Sequence, residues 1–403
     1  MKKSTKIVSV LLTLIMLVGV VSNSSFAVEK ESKEFEYDMY LSFGDSISSG
    51  YFLISKEEML EGSSTKFLAK KTFDDRIPGS YADLVGKAVG LGPGAEGYYK
   101  FARDGMSALS MTRIVDPEFE EGISATQRNG DDLLWASFTE DGVDTLQKLR
   151  KRYRSILENA KGKRVLVTTM VGANDLVIGP LMDAYFILKD AIAGGQDHRS
   201  LVVNFDDAFL GAMAEGDVPK AIDLVETVAN VVLAQPEILL TVLDDELNSY
   251  FRYFDRMDAF FNAIHNDFTE AGVEQLDVVA VGLYNPTKEL RFDDILDVRA
   301  GKIMWWFTKL MNNYLSGQAV TRVNAPYENG YYKYAYARDT ETNEWPSFIT
   351  WPLYGQEFLR WMMFCVHPTA AGHEYIAKQV LDTLRYGSAE VTYDHEGYTP
   401  FLV

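Results

Sequence analysis

The apolar positions of this chain follow two alternating periods. Tyr37 to Phe43, Arg164 to Val171 and Leu276 to Gly282 are short runs dense in apolar and β-branched residues, each ending at or beside a glycine. Runs of that length and composition predict strands buried on both faces. Between them the period lengthens. Within Leu133 to Ala160, Val143, Leu146, Leu149, Tyr153 and Ile156 recur at helical spacing. Leu247, Tyr250, Phe251, Phe254, Met257, Phe261, Ile264 and Phe268 then follow mostly at steps of three and four, which predicts a strongly amphipathic helix. A last helix starts near Thr369 and buries Ile376, Val380, Leu381 and Leu384. Strands alternating with helices predict an α/β fold with a central parallel sheet covered on both faces.

Two regions break the alternation. Residues 176 to about 270 read as largely helical with no clear strand, interrupted at Pro236. Two roles are open for this helical insertion: helices packed on the sheet, or a lid over a site. His265 lies on the amphipathic stripe and reads as a core histidine. Residues 321–350 are aromatic and polar, with Tyr327, Tyr331, Tyr332, Tyr334, Tyr336 and Trp345. Asn329-Gly330 predicts a hairpin turn there. The tyrosines suit either a pocket lining or surface strands. With no internal repeat and no low-complexity linker, residues 37–403 read as one domain carrying an insertion.

The first 36 residues follow a different pattern. Lys2, Lys3 and Lys6 precede an apolar run from Ile7 to Val21, and Ser25-Phe26-Ala27 ends it with small-x-small spacing. This predicts a signal peptide over 1–27, cleavage near Ala27 and a secreted, extracytoplasmic protein. The run is shorter than the roughly 20 residues a spanning helix needs, although an uncleaved anchor stays open. Residues 28–36 form a charged lead-in.

Charge and cysteine count then narrow the function classes. The net charge is −19, and loss of 1–27, with three lysines and no acid, takes it to −22. So acidic a chain is poorly suited to nucleic acid or an anionic membrane surface. The one cysteine, Cys365, excludes an internal disulfide framework, and a lone cysteine of this kind ordinarily packs as a small hydrophobe. No His or Cys pair has zinc-ligand spacing, so neither a metal nor a cofactor is expected.

Four short segments carry candidate chemistry. Phe43-Gly44-Asp45-Ser46-Ile47-Ser48 follows the first strand, where ligands bind in open α/β sheets. It is not a Gly-x-Ser-x-Gly elbow, and alone it reads equally as a strand-to-helix cap. In Ala102-Arg103-Asp104-Gly105-Met106-Ser107, Gly105 either presents an N–H at close approach or is a plain loop glycine. In Val171-Gly172-Ala173-Asn174-Asp175-Leu176, the Asn174 amide suits an oxyanion donor, while Asn-Asp is also turn chemistry. His367-Pro368 precedes the last helix, and His373 falls inside that helix, facing solvent or capping a neighbour.

Taken together and in this order, Gly44-Asp45-Ser46, Gly105, Gly172-x-Asn174-Asp175 and His367-Pro368 resemble the SGNH (GDSL) hydrolases. Leu283-Tyr284-Asn285-Pro286 after a strand is similar to family members as well. The resemblance spans about 37 to 385 and leaves out the insertion. It implies a flavodoxin-like three-layer α/β/α sandwich and an esterase or lipase acting on a small-molecule or lipid ester. Ser46 is then the nucleophile and His367 its base. The oxyanion donors are the backbone N–H groups of Ser46 and Gly105 and the Asn174 side chain. Sugar acetyl groups are the second substrate class.

One position departs from the family pattern. The family's Asp three residues before the histidine is Phe364 here. Three readings follow: the Phe364 backbone carbonyl orients His367, an acid distant in sequence does so, or the protein is a weakly catalytic relative that binds an acyl ligand. The sequence carries no signal for oligomeric state.

Overall fold

The three apolar runs form the centre of the sheet. A computed structural model describes residues 35–51, 53, 78–103, 105–119, 143–175, 236–286, 300–322, 331–343 and 364–390, with backbone alone for 143–145, 236–251 and 300–307. The chain divides into Met1–Glu36 and Tyr37–Val403, and every element below lies in the second unit. The leader segment and residues 176–235 lie outside the described residues.

Strand β1 is Met39–Gly44, β3 is Arg164–Met170 and β4 is Gln275–Val281, each within two residues of its predicted run. Two strands were not predicted as such. Tyr98–Lys100 forms β2 and Tyr332–Ala335 forms β5. All four pairings are parallel, in the order β2-β1-β3-β4-β5, which is the flavodoxin-like order. β5 pairs with β4 in parallel; the expected hairpin turn at Asn329 and Gly330 lies outside the described residues. Tyr331, Tyr332 and Tyr334 are correspondingly buried in the core.

The helices are α1 Ser46–Ser49, α2 Tyr81–Ala88, α3 Ala108–Val115, α4 Val143–Glu158, α5 Pro236–Ala271, α6 Ala300–Thr321 and α7 Ala370–Tyr386. Alternate residues of each strand face opposite layers. Met39, Leu41, Phe43, Val165, Val167, Leu276, Val278 and Ala280 join one core with side chains of α3, α4, α5 and α6. α1 and α2 pack together on the opposite face, where α7 packs on α2 and on β4 and β5. There Tyr40 Oη meets Thr168 Oγ1 at 2.9 Å.

The amphipathic stripe of α5 packs on the sheet. Met257, Phe261, Ile264 and Phe268 are buried as predicted, and Tyr253 and Phe260 widen the stripe. The described half of α5 therefore covers the core and is no lid. Phe43 is the hub of this layer. It stacks on Phe101 at 4.7 Å and meets Phe260 edge-on at 5.2 Å.

Helix α7 begins at its predicted cap. Thr369 Oγ1 accepts from Gly372 N–H at 3.1 Å. Ile376 and Val380 are buried, while Leu381 and Leu384 are half-buried. His373 is fully buried rather than facing solvent. Its Nδ1 accepts from Tyr81 N–H at 3.1 Å, capping the first turn of α2. This bond fixes a neutral imidazole with Nε2–H.

Two predictions follow from this packing. Phe43→Ala removes the ring at the aromatic hub and should cost about 3–5 kcal/mol by urea denaturation; a loss under 1 kcal/mol would contradict the packing. Burial first, then His367 and Lys100, push the His373 pKa down to about 3. That lies below the unfolded value near 6.5, so protonation favours the unfolded chain and stability is lost as pH falls from about 6.5 toward 3. His373→Asn keeps an acceptor for Tyr81 and cannot protonate. The drop in Tm between pH 7 and pH 5 should be smaller in this variant, by the equivalent of roughly 2 kcal/mol; an equal drop would remove His373 from the acid response.

Candidate active site

The site grows out of the way β1 ends. β1 lies between β2 and β3, and its hydrogen bonds continue past the last residue. Arg103 N–H donates to Gly44 O at 2.9 Å, and Asp45 N–H donates to Met170 O at 3.2 Å. Gly44 turns the chain with φ +144°, and a Cβ there would fall on Ser48 Oγ and the Met170 carbonyl. Only glycine fits this corner. Asp45 then caps α1, its Oδ1 accepting from Ile47 N–H at 3.0 Å. Ser46 is the first residue of α1 and is nearly buried, at 7% exposure.

His367 reaches Ser46 from the far end of the chain. Its Nε2 is 2.7 Å from Ser46 Oγ. Tyr51 meets the imidazole edge-on at 6.1 Å. The segment carrying His367 is held on several sides. Tyr284 Oη donates to Val366 O at 2.7 Å, Asn343 Nδ2 to Phe364 O at 3.2 Å, and Thr369 N–H to Glu341 O at 3.0 Å. Pro368 forms a bridge with Thr342. Phe364 and Cys365 are themselves buried.

The other two predicted segments are tied to each other. Gly105 adopts φ +75° in the turn after β2. Asn174 Nδ2 donates to Met106 O at 2.9 Å. Asp175 Oδ2 accepts from Ala108 N–H at 2.8 Å, and its Oδ1 lies 3.3 Å from Arg256 Nη1 on α5. Both partners of this ion pair are buried. Burial pushes the Asp175 carboxyl up to about 6, while the Arg256 charge and the Ala108 N–H pull it back down. Asp175 thus has a partner that the reading of Asn-Asp as turn chemistry missed; Arg256 on the polar side of a helical stripe carried no signal.

A second buried network braces α1 from below. Lys100 Nζ donates to Ser49 O at 2.9 Å and to Ser80 Oγ at 3.0 Å, and pairs with Asp83 at 3.3 Å. Tyr98 Oη donates to the same carboxylate at 2.7 Å, and Ser48 Oγ meets Tyr81 Oη at 2.8 Å. The sequence hid this network because β2 was not recognised and a lysine ordinarily reads as exposed.

The strand order explains the assembly. Ligands in open α/β sheets bind beyond the carboxyl ends of the strands where the order reverses, which here is between β1 and β3. Ser46 follows β1 and Asn174 follows β3. Gly105 follows β2, the other neighbour of β1. Four segments spread across more than 300 residues of chain therefore reach one end of the sheet. Among the described residues, no three His, Cys, Asp or Glu side chains are grouped to hold a metal ion.

Comparison with known proteins agrees with this geometry. No curated protein matches the chain. The family model of the GDSL-like lipases/acylhydrolases matches residues 40–380, a span that runs from β1 into α7 and holds Ser46, Gly105, Asn174 and His367. The chain belongs to the GDSL-like lipase/acylhydrolase family, the esterase- and lipase-type acyl hydrolases.

Proposed function

We propose that this protein is an exported serine esterase that hydrolyses carboxylic esters through a Ser46–His367 dyad. The 2.7 Å contact between Ser46 Oγ and His367 Nε2 carries the reading. With Nδ1 protonated, Nε2 is free to accept the Ser46 proton as Oγ attacks the acyl carbonyl. The imidazolium then returns that proton to the leaving alcohol. Water, deprotonated by the same nitrogen, releases the acid from the acyl-enzyme and restores Ser46.

The developing oxyanion takes three donors. The Ser46 N–H belongs to the first turn of α1, whose amides have no partner within the helix. Gly105 supplies a second N–H. One Asn174 amide hydrogen is engaged by Met106 O, and an amide carries two, so the other serves the oxyanion. The Phe364 carbonyl is our candidate acceptor for His367 Nδ1–H. It already accepts from Asn343, and a carbonyl oxygen has a second lone pair.

For the substrate we favour a lipid or medium-chain acyl ester. An apolar-rich stretch begins directly after Asp175. Tyrosines of the 327–336 stretch would suit a carbohydrate, but Tyr331, Tyr332 and Tyr334 are taken up by the core.

Labelling with a fluorophosphonate probe tests the nucleophile: wild type should label and Ser46→Ala should not. Equal labelling of the two would leave an acyl-binding relative as the reading. His367→Ala should lower turnover about a thousandfold or more, and unchanged turnover would remove it from the mechanism. Across a p-nitrophenyl ester series, kcat/KM should peak at medium chain length. A maximum at acetate, with loss at longer chains, would favour sugar acetyl groups instead.

A further inference from the structure

We infer that Asp175 and Arg256 form a positioning pair that holds the oxyanion donors in place from helix α5. The inference rests on the proposed role of Ser46, Gly105 and Asn174. Gly105 follows β2 and Asn174 follows β3, and no strand pairing joins these two segments directly, since β1 separates β2 from β3. Adjacent side chains bridge the gap. Asn174 fastens the Met106 carbonyl, next to Gly105, and Asp175 fastens the Ala108 N–H, three residues on. Together they anchor the chain immediately after the turn that presents the Gly105 N–H.

Arg256 completes the clamp from a third element. It holds the other Asp175 oxygen, and its own carbonyl accepts from Thr112 Oγ1 of α3 at 2.9 Å. Helix α5 therefore grips both the carboxylate and the helix that the carboxylate caps. Asp175 and Arg256 touch no reacting atom, so their effect is on geometry. An oxyanion donor displaced by a fraction of an ångström binds the tetrahedral state less well while ground-state binding changes little. The pair thus acts on kcat more than on KM.

The test uses Asp175→Asn and Arg256→Met, with Arg256→Lys as the conservative variant. Rates are normalised to active sites counted by fluorophosphonate labelling. We expect Asp175→Asn and Arg256→Met to lower kcat about 30- to 100-fold, with KM within about threefold. The Ki of a trifluoromethyl ketone, whose serine adduct bears an oxyanion, should rise by the same factor. Arg256→Lys should recover most of the rate. Asp277→Asn serves as control, because it breaks another buried ion pair, with Lys333, away from the donors. It should lower Tm and leave kcat per active site unchanged. If Asp175→Asn yields no folded protein, Arg256→Met decides alone. Turnover within twofold of wild type, or a change in KM only, overturns the inference. Failure of wild type to label is a different result: it removes the nucleophile and the inference with it.

Discussion

The site depends on a constraint at the end of one strand. β1 is paired on both edges, and its last residue must leave the sheet without opening a gap to β2 or β3. Gly44 meets this by turning where the Met170 carbonyl and Ser48 leave no room for a side chain. The polypeptide then enters α1 at once, so Ser46 stands at the carboxyl end of the sheet on a backbone fixed from both sides. A serine on a loop of ordinary freedom would sample many positions. This one inherits the order of the core below it, where Phe43 packs against Phe101 and Phe260.

Buried charge follows the same logic. Asp83–Lys100, Asp175–Arg256 and Asp277–Lys333 are ion pairs withdrawn from water. Such pairs seldom outdo apolar residues of equal size in stability, because desolvation offsets much of the attraction. What they supply is direction. Lys100 ties the last carbonyl of α1 to α2, and Asp175 ties α3 to the loop after β3. Two of the three pairs thus brace the segments that carry the proposed nucleophile and oxyanion donors. Asp277–Lys333, with Tyr37 and Gln275 also on the carboxylate, links β4 to β5 instead.

The legible part of this fold was the part made by long, strongly periodic segments. β1, β3 and β4 are buried on both faces, so their composition alone marks them, and the α5 stripe is visible because it covers a wide core. β2 was missed, and β5 was expected only within a hairpin and not as a buried parallel strand, for a physical reason. They are three and four residues long, and lysine and tyrosine at buried positions read as surface residues. Only partners remote in sequence, Asp83 for Lys100 and Asp277 for Lys333, make those lysines tolerable inside. The same holds at the site. Ser46, Gly105, Asn174 and His367 stood out by residue type and order, whereas Arg256 became meaningful only once folding set it beside Asp175.

The residue three positions before His367 shapes how the proposed chemistry distributes its work. Where a carboxylate ordinarily supports the imidazolium, this chain has a buried phenylalanine at 364. A carbonyl acceptor fixes the tautomer but brings no full negative charge, so it stabilises the imidazolium less than a carboxylate does. The positive charge on His367 and the negative charge on the oxyanion form in the same step. Weaker support for the first places more of the barrier on the second. The donors around the oxyanion must then be well ordered, because preorganised dipoles act without reorganising during the reaction. A loop clamped by Asn174, Asp175 and Arg256 answers that demand. On this reasoning, the phenylalanine at 364 and the buried Asp175–Arg256 pair are two parts of one arrangement.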